Sequence, residues 1–311
     1  MAGQRPNWRD TLSIKHYVES EEHVMPEQNK VVNEVELFYQ MKGTGPALLL
    51  LHGFPQNRSI WRRVCEQLSD TYTLVMPDLR GYGSSPKPAS DPHHQNYSKR
   101  QMALDLIALM DRLGIEQFGV VGHDRGGRVA HRLAADFPTR VQRLMLLDIS
   151  PTLKMYEQTD MRFALGYWHW FFLVQPAPLP EQLIGADPQG FMEAFMLKRH
   201  GGRAVFEPEN WAQYLEAIKD PACLHAMCED YRASVTIDLE HDRADRAKGT
   251  RLSQPLRVLW GQHGMIERCF DPINDWLEVA QSVSGRALDT GHYLPEEQPQ
   301  EVAQEIRQFF K

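Results

Sequence analysis

A chain of 311 residues with 42% hydrophobic content and 20 prolines is long for one simple domain, but ordinary for a single α/β domain carrying an insertion. A formal charge of −7 with no basic stripe argues against nucleic acid as a partner. The opening Met1-Ala-Gly-Gln-Arg-Pro-Asn-Trp8 has no apolar core of signal-peptide length, and no stretch reaches the roughly 18 apolar residues of a membrane span. Cys65, Cys223, Cys228 and Cys269 fall into no metal-ligand or disulfide spacing, so they read as reduced thiols of a cytoplasmic protein.

Residues 1 to about 12 are polar and read as loosely held. Ile14 to Val24 and Val32 to Tyr39 alternate enough to predict a hairpin at a sheet edge. Pro46 to His52 is a continuous apolar run, the pattern of a strand buried on both faces, and it ends in His52-Gly53-Phe54-Pro55-Gln56. A strand over Thr71 to Met76 runs into the turn Gly81-Tyr82-Gly83-Ser84-Ser85. Tyr97 to Leu113 places Met102, Leu106, Leu109, Met110 and Leu113 on one helical face. Phe118 to Val121 reads as a buried strand, Arg128 to Phe137 as a helix, and Val141 to Ile149 as another buried strand.

Strand and helix alternate to this point, which predicts a mostly parallel sheet flanked by helices. From Pro151 to about Gly249 the pieces are aromatic, Met- and Pro-rich, and none reads convincingly as a strand. Strand character returns at Pro255 to Gly261, followed by a helix near Ile273 to Ala280, a short strand near Gly285 to Leu288 and a closing helix from Val302 to Phe310. The expected organisation is a core of residues 1–150 and 250–311 with a helical cap, 151–249, over the C-terminal ends of the strands.

Between the buried strand and the helix lies Gly122-His123-Asp124-Arg125-Gly126. Gly-x-nucleophile-x-Gly is the spacing of the nucleophile elbow of α/β-hydrolases, a sharp turn that lifts one strained side chain above the sheet. Here that side chain is Asp124, and a carboxylate nucleophile forms an alkyl ester at an sp³ carbon. Hydrolysing the ester requires a base, and the base an orienting acid. Of thirteen histidines, His292 lies after the last strand, where this fold places its base. His123 and His52 read as structural, and His93-His94 as solvated. Gly264 stands where an acid would be expected after the strand ending at Gly261. Asp148, at the end of the preceding strand, is therefore the candidate acid, with Glu267 and Asp271 as outside candidates.

Asp124-Arg125-Gly126-Gly127-Arg128, Asp148-Ile149 and Gly291-His292 resemble the haloacetate dehalogenases of the α/β-hydrolase fold, over nearly everything from about residue 30 onward. Arg125 occupies a position that related haloalkane dehalogenases and epoxide hydrolases usually give to Trp. Arg128 lies four residues after Asp124, on the same helical face. Two guanidinium groups could hold a substrate carboxylate by bidentate, charge-assisted bonds, with salt bridges to cap acids as the alternative. The resemblance also implies His169, Trp170 and Tyr231 as halide donors, N–H and O–H groups aimed at the charge growing on a leaving halide. His52-Gly53-Phe54-Pro55 resembles the fold's oxyanion loop, which implies backbone N–H groups of Phe54 and Arg125 as its donors. The implied substrate is a small 2-haloacid, with no cofactor or metal, no membrane partner and a homodimeric assembly. An epoxide hydrolase stays open through Tyr156, Tyr167 and Tyr231, as does a non-catalytic ligand receptor on the same scaffold.

Overall fold

The computed structural model describes residues 27–32 and 35–311. Eight strands form one sheet in the order β1-β2-β4-β3-β5-β6-β7-β8. They are β1 (Gln28–Val32), β2 (Val35–Lys42), β3 (Ala47–Leu51), β4 (Thr73–Pro77), β5 (Phe118–His123), β6 (Val141–Leu147), β7 (Leu256–Gly261) and β8 (Val283–Leu288). From β4 to β8 every neighbouring pair is parallel, while β2 joins antiparallel to β4 and to β1. The edge hairpin therefore exists, but Val35–Lys42 pairs with Gln28–Val32. The expected partner, Ile14 to Val24, lies outside the described residues, as do residues 1–12.

Central strands are buried on both faces, and the period of two sorts their side chains. Leu49, Leu51, Val120, Leu144 and Leu146 belong to one apolar layer, with residues of the helices Lys99–Arg112 and Asp124–Asp136. Leu48, Leu50, Val121, Met145 and Leu147 belong to the other, with the helices Arg62–Leu68 and Pro299–Phe309. Burial on both faces explains why these strands read as unbroken apolar runs.

Because the parallel strands share one direction, their C-terminal ends gather on one edge, and the connecting loops open there. His52 to Phe54 follow β3, Asp124 follows β5, Asp148 follows β6, Gly264 follows β7 and His292 follows β8. Between β6 and β7 the chain is helical from Thr152 to Lys248 and contains no strand. His169 and Trp170 lie on its helix Trp168–Leu173, and Tyr231 on the helix Pro221–Val235.

Candidate active site

The elbow is built by close approach. A side chain at Gly122 would meet the Gly126 carbonyl oxygen at 2.6 Å and the Gly127 Cα at 2.7 Å, so only glycine lets the helix fold back on β5. The helix then begins at Asp124, four residues before the expected Arg128. Asp124 itself has φ 47°, a left-handed conformation rare for a side chain that is not glycine. This strain lifts its carboxylate off the sheet. The Phe54 N–H donates to Asp124 Oδ1 at 3.0 Å, while Oδ2 faces His292 Nε2 at 3.9 Å, beyond hydrogen-bond reach. The neighbouring Arg125 N–H lies in the first helical turn, where no intrahelical acceptor is available.

His292 and Asp148 come together across the edge of the sheet. His292 Nδ1 lies 2.6 Å from Asp148 Oδ2, and the Gly261 N–H donates to Asp148 Oδ1 at 2.9 Å. Glu267 and Asp271 are occupied elsewhere: Glu267 accepts from the Trp260 indole, and Asp271 caps the helix Pro272–Leu277. His123 Nε2 donates to the His292 carbonyl at 2.8 Å, so it supports the loop that carries His292. His52 accepts the Leu79 N–H at 3.0 Å and steadies the turn before Phe54. His94 departs from expectation: its Nδ1 is 2.7 Å from Glu229, tying its loop to the helical insertion.

Burial dominates the electrostatics. It pushes Asp148 up to about 7, against the Gly261 N–H, and pulls His292 down to about 3, assisted by the charge of Arg199. Burial would also raise Asp124, but nearby positive charge, from His292 and His123 when protonated and from Arg125 and Arg128 throughout, overcomes it and holds this carboxyl well below the usual range. Asp124 is thus an ionised carboxylate beside a neutral imidazole.

Arg125 does not present a free bidentate fork. Its Nε donates to Asp230 Oδ2 at 2.8 Å and its Nη2 to Asp230 Oδ1 at 3.0 Å, leaving only Nη1 buried and without a partner. Arg128 gives Nη1 to Thr152 Oγ1 at 2.8 Å and retains an unpartnered Nε. Each guanidinium is clamped by the protein and holds one nitrogen in reserve. Asp230, which sequence reasoning missed, is the hub, because it also takes Lys99 and accepts the Tyr82 hydroxyl at 2.6 Å.

Around these groups the insertion lays an aromatic wall. The Arg125 guanidinium sits 4.2 Å from the Tyr231 ring centre and that of Arg128 4.5 Å from the Trp170 ring centre. His169 lies 6.0 Å from Tyr231, and Tyr231 5.2 Å from Phe54, between ring centres. His169 Nδ1, Trp170 Nε1 and the Tyr231 hydroxyl are all buried with no hydrogen-bond partner in the protein. Burial first, then the charge of Arg199, keeps His169 neutral. Buried polar atoms are rarely left unpaired, so three in one wall mark a place built to receive an acceptor.

The family model described as the alpha/beta hydrolase fold matches residues 46–299. A fluoroacetate dehalogenase from Burkholderia sp is 44% identical over 89% of this chain and 91% of its own length. The chain belongs to the haloacetate dehalogenase family of the α/β-hydrolase fold. A soluble epoxide hydrolase from Corynebacterium sp. (strain C12) is 34% identical over 90% of this chain and 95% of its own. A solved α/β-hydrolase structure from Nostoc sp PCC 7120 superposes with a TM-score of 0.90 at 49% identity, covering 93% of this chain and 98% of that one. Membership makes the protein a hydrolase. Among the described residues, no group of three or more His, Cys, Asp or Glu side chains is placed to hold a metal ion, and no helix is long and apolar enough to cross a membrane.

Proposed function

We propose that this hydrolase removes halide from small 2-haloacids, such as fluoroacetate and chloroacetate, giving glycolate and halide. Residues 151–249 act as a cap on a core of 1–150 and 250–311. The observation that carries this reading is the trio of buried, unpartnered donors on His169, Trp170 and Tyr231, set beside an ionised carboxylate and two arginines with nitrogens in reserve. Donors suit a leaving anion, and the arginines suit the carboxylate of the same small molecule.

In the first step Asp124 Oδ2 attacks the α-carbon in line. The carbon–halogen bond breaks, and halide departs toward the three donors. The unshared nitrogens of Arg125 and Arg128 hold the substrate carboxylate, one from each guanidinium. In the second step His292 Nε2 takes a proton from water, which attacks the carbonyl carbon of the Asp124 ester. Negative charge on Oδ1 is met by the N–H groups of Phe54 and Arg125, and the imidazolium returns its proton to the departing glycolate oxygen. Asp148 keeps the Nδ1–H of His292 in place, so that Nε2 faces the ester. Displacement at carbon occurs once, so a chiral 2-halopropionate is inverted.

A second reading, epoxide hydrolysis, draws support from the hydroxyls of Tyr156 and Tyr231, both buried without a partner and thus able to assist epoxide opening. Halide release from chloroacetate and fluoroacetate, measured beside styrene oxide hydrolysis, separates the two. Halide release without diol formation is expected. Diol formation without halide release overturns the dehalogenase reading.

A further inference from the structure

Arg199 holds no part of the substrate in that reaction, although its charge bears on His292 and His169. It stands after the helix Pro188–Met196, and its guanidinium packs over the rings of Phe195, Tyr293 and Tyr167 at 4.6, 5.5 and 5.9 Å. These rings connect it to both halves of the site. Phe195 is 4.7 Å from His169, and Tyr293 5.1 Å from His292, between ring centres. Among the described residues, no carboxylate pairs with Arg199.

Arg199 also lines a cavity of about 390 Å³ that reaches His292 and includes Lys198 and Arg268. At a liquid volume of about 30 Å³ per water, that space is on the order of ten waters, well beyond what a haloacetate fills. A haloacetate carries one carboxylate, and in the proposed reaction Arg125 and Arg128 already hold it. A third guanidinium, set beside the rings that touch His169 and His292 and with no carboxylate among the described residues in a salt bridge to it, therefore has no partner in such a substrate. Arginine is suited to a second carboxylate, since its planar fork matches that group.

We infer that Arg199 forms a second anion subsite, and that the enzyme takes 2-haloacids bearing a second carboxylate, with 2-chlorosuccinate as the simplest member. This inference rests on the dehalogenase reading. The chemistry is unchanged. Asp124 displaces chloride from C2, water opens the ester, and 2-chlorosuccinate plus water becomes malate, chloride and a proton.

The test compares 2-chlorosuccinate, chloroacetate and 2-chlorobutyrate, whose short tail carries no charge, in the wild type, R199Q and R199K. In the wild type, kcat/KM for chlorosuccinate should exceed that for chlorobutyrate by about tenfold or more, the effect of one charge-assisted contact. R199Q should lower the chlorosuccinate-to-chloroacetate ratio of kcat/KM about ten- to a hundredfold, and R199K should restore part of it. Succinate and butyrate binding to the wild type, measured by calorimetry, tests the subsite independently of turnover. Succinate should bind more tightly, and the preference should vanish in R199Q. Chloroacetate turnover without any chlorosuccinate preference, or an equal loss on both substrates in R199Q, overturns the subsite and leaves the dehalogenase standing. No chloride from any substrate, with succinate preference intact, overturns the dehalogenase and leaves the subsite.

Discussion

Arg125 and Asp230 face each other with both side chains fully buried, Nε to Oδ2 at 2.8 Å, one from the elbow helix and the other from the helical insertion. The pair fixes where the last nitrogen of Arg125 points. It also locks the insertion to the core beside Asp124, because Lys99 and Tyr82 converge on the same carboxylate.

Asp230→Asn should therefore damage both stability and substrate binding. Removing one partner of a buried ion pair leaves the other charge uncompensated, at a cost of about 3–5 kcal/mol. Denaturant unfolding should register that loss. KM for chloroacetate should rise in the folded fraction as Arg125 loses its aim. An unchanged unfolding midpoint and unchanged KM would make the pair incidental.

The proposed halide donors should matter in proportion to how much the leaving group needs them. Trp170→Phe removes the indole N–H while retaining much of the bulk. Fluoride is strongly hydrated and leaves poorly, so fluoroacetate turnover should fall much further than chloroacetate turnover. Equal losses would make Trp170 a packing residue only.

Much of this site was legible in the sequence, for physical reasons that differ by residue. The elbow was visible because the close approach at Gly122 and Gly126 tolerates nothing larger, so the constraint is written into residue identity. Asp148 was visible because a buried strand announces its own end. The start of the elbow helix was not, since Gly126 and Gly127 disfavour helix by propensity and tertiary packing overrides them. Asp230 and Arg199 were hidden for a common reason. Each lies in a run rich in charged residues, Glu229 to Arg232 and Lys198 to His200, where nothing in the spacing tells which member the fold sets beside the site. His169, Trp170 and Tyr231 stood out only through family resemblance, because aromatic residues in a helical insertion otherwise look like core.

The Asp148–His292 pair makes a pH prediction with a definite sign. His292 is faced by Asp148, Asp124, Arg199, Glu297, Arg128 and, across a ring contact, His123. With Asp148 pushed up to about 7 by burial, the pair gains one further proton as pH falls through that value. Whichever residue carries it, Nε2 ends up protonated. An acidic Asp148 donates to Nδ1 and drives the ring proton to Nε2, and an imidazolium has it there already. The base is lost, while Asp124 remains ionised because its carboxyl is held well below the usual range. Steady-state turnover should fall below about pH 7, and the halide released in the first turnover should persist to about pH 5. Rapid-quench halide assays across that interval would read both. A parallel fall would place the titration in the displacement step.

The central claim is that halide leaves in one step and the ester is opened by His292 in another. His292→Asn tests it most directly. Asp124 attacks as a carboxylate and needs no base, so this variant should release up to one equivalent of chloride per active site from chloroacetate and then stall. Mass spectrometry of the stalled protein should find an added carboxymethyl group, mapping to the peptide that contains Asp124. Steady turnover by the folded variant, or chloride released with no adduct on that peptide, would contradict the covalent two-step account.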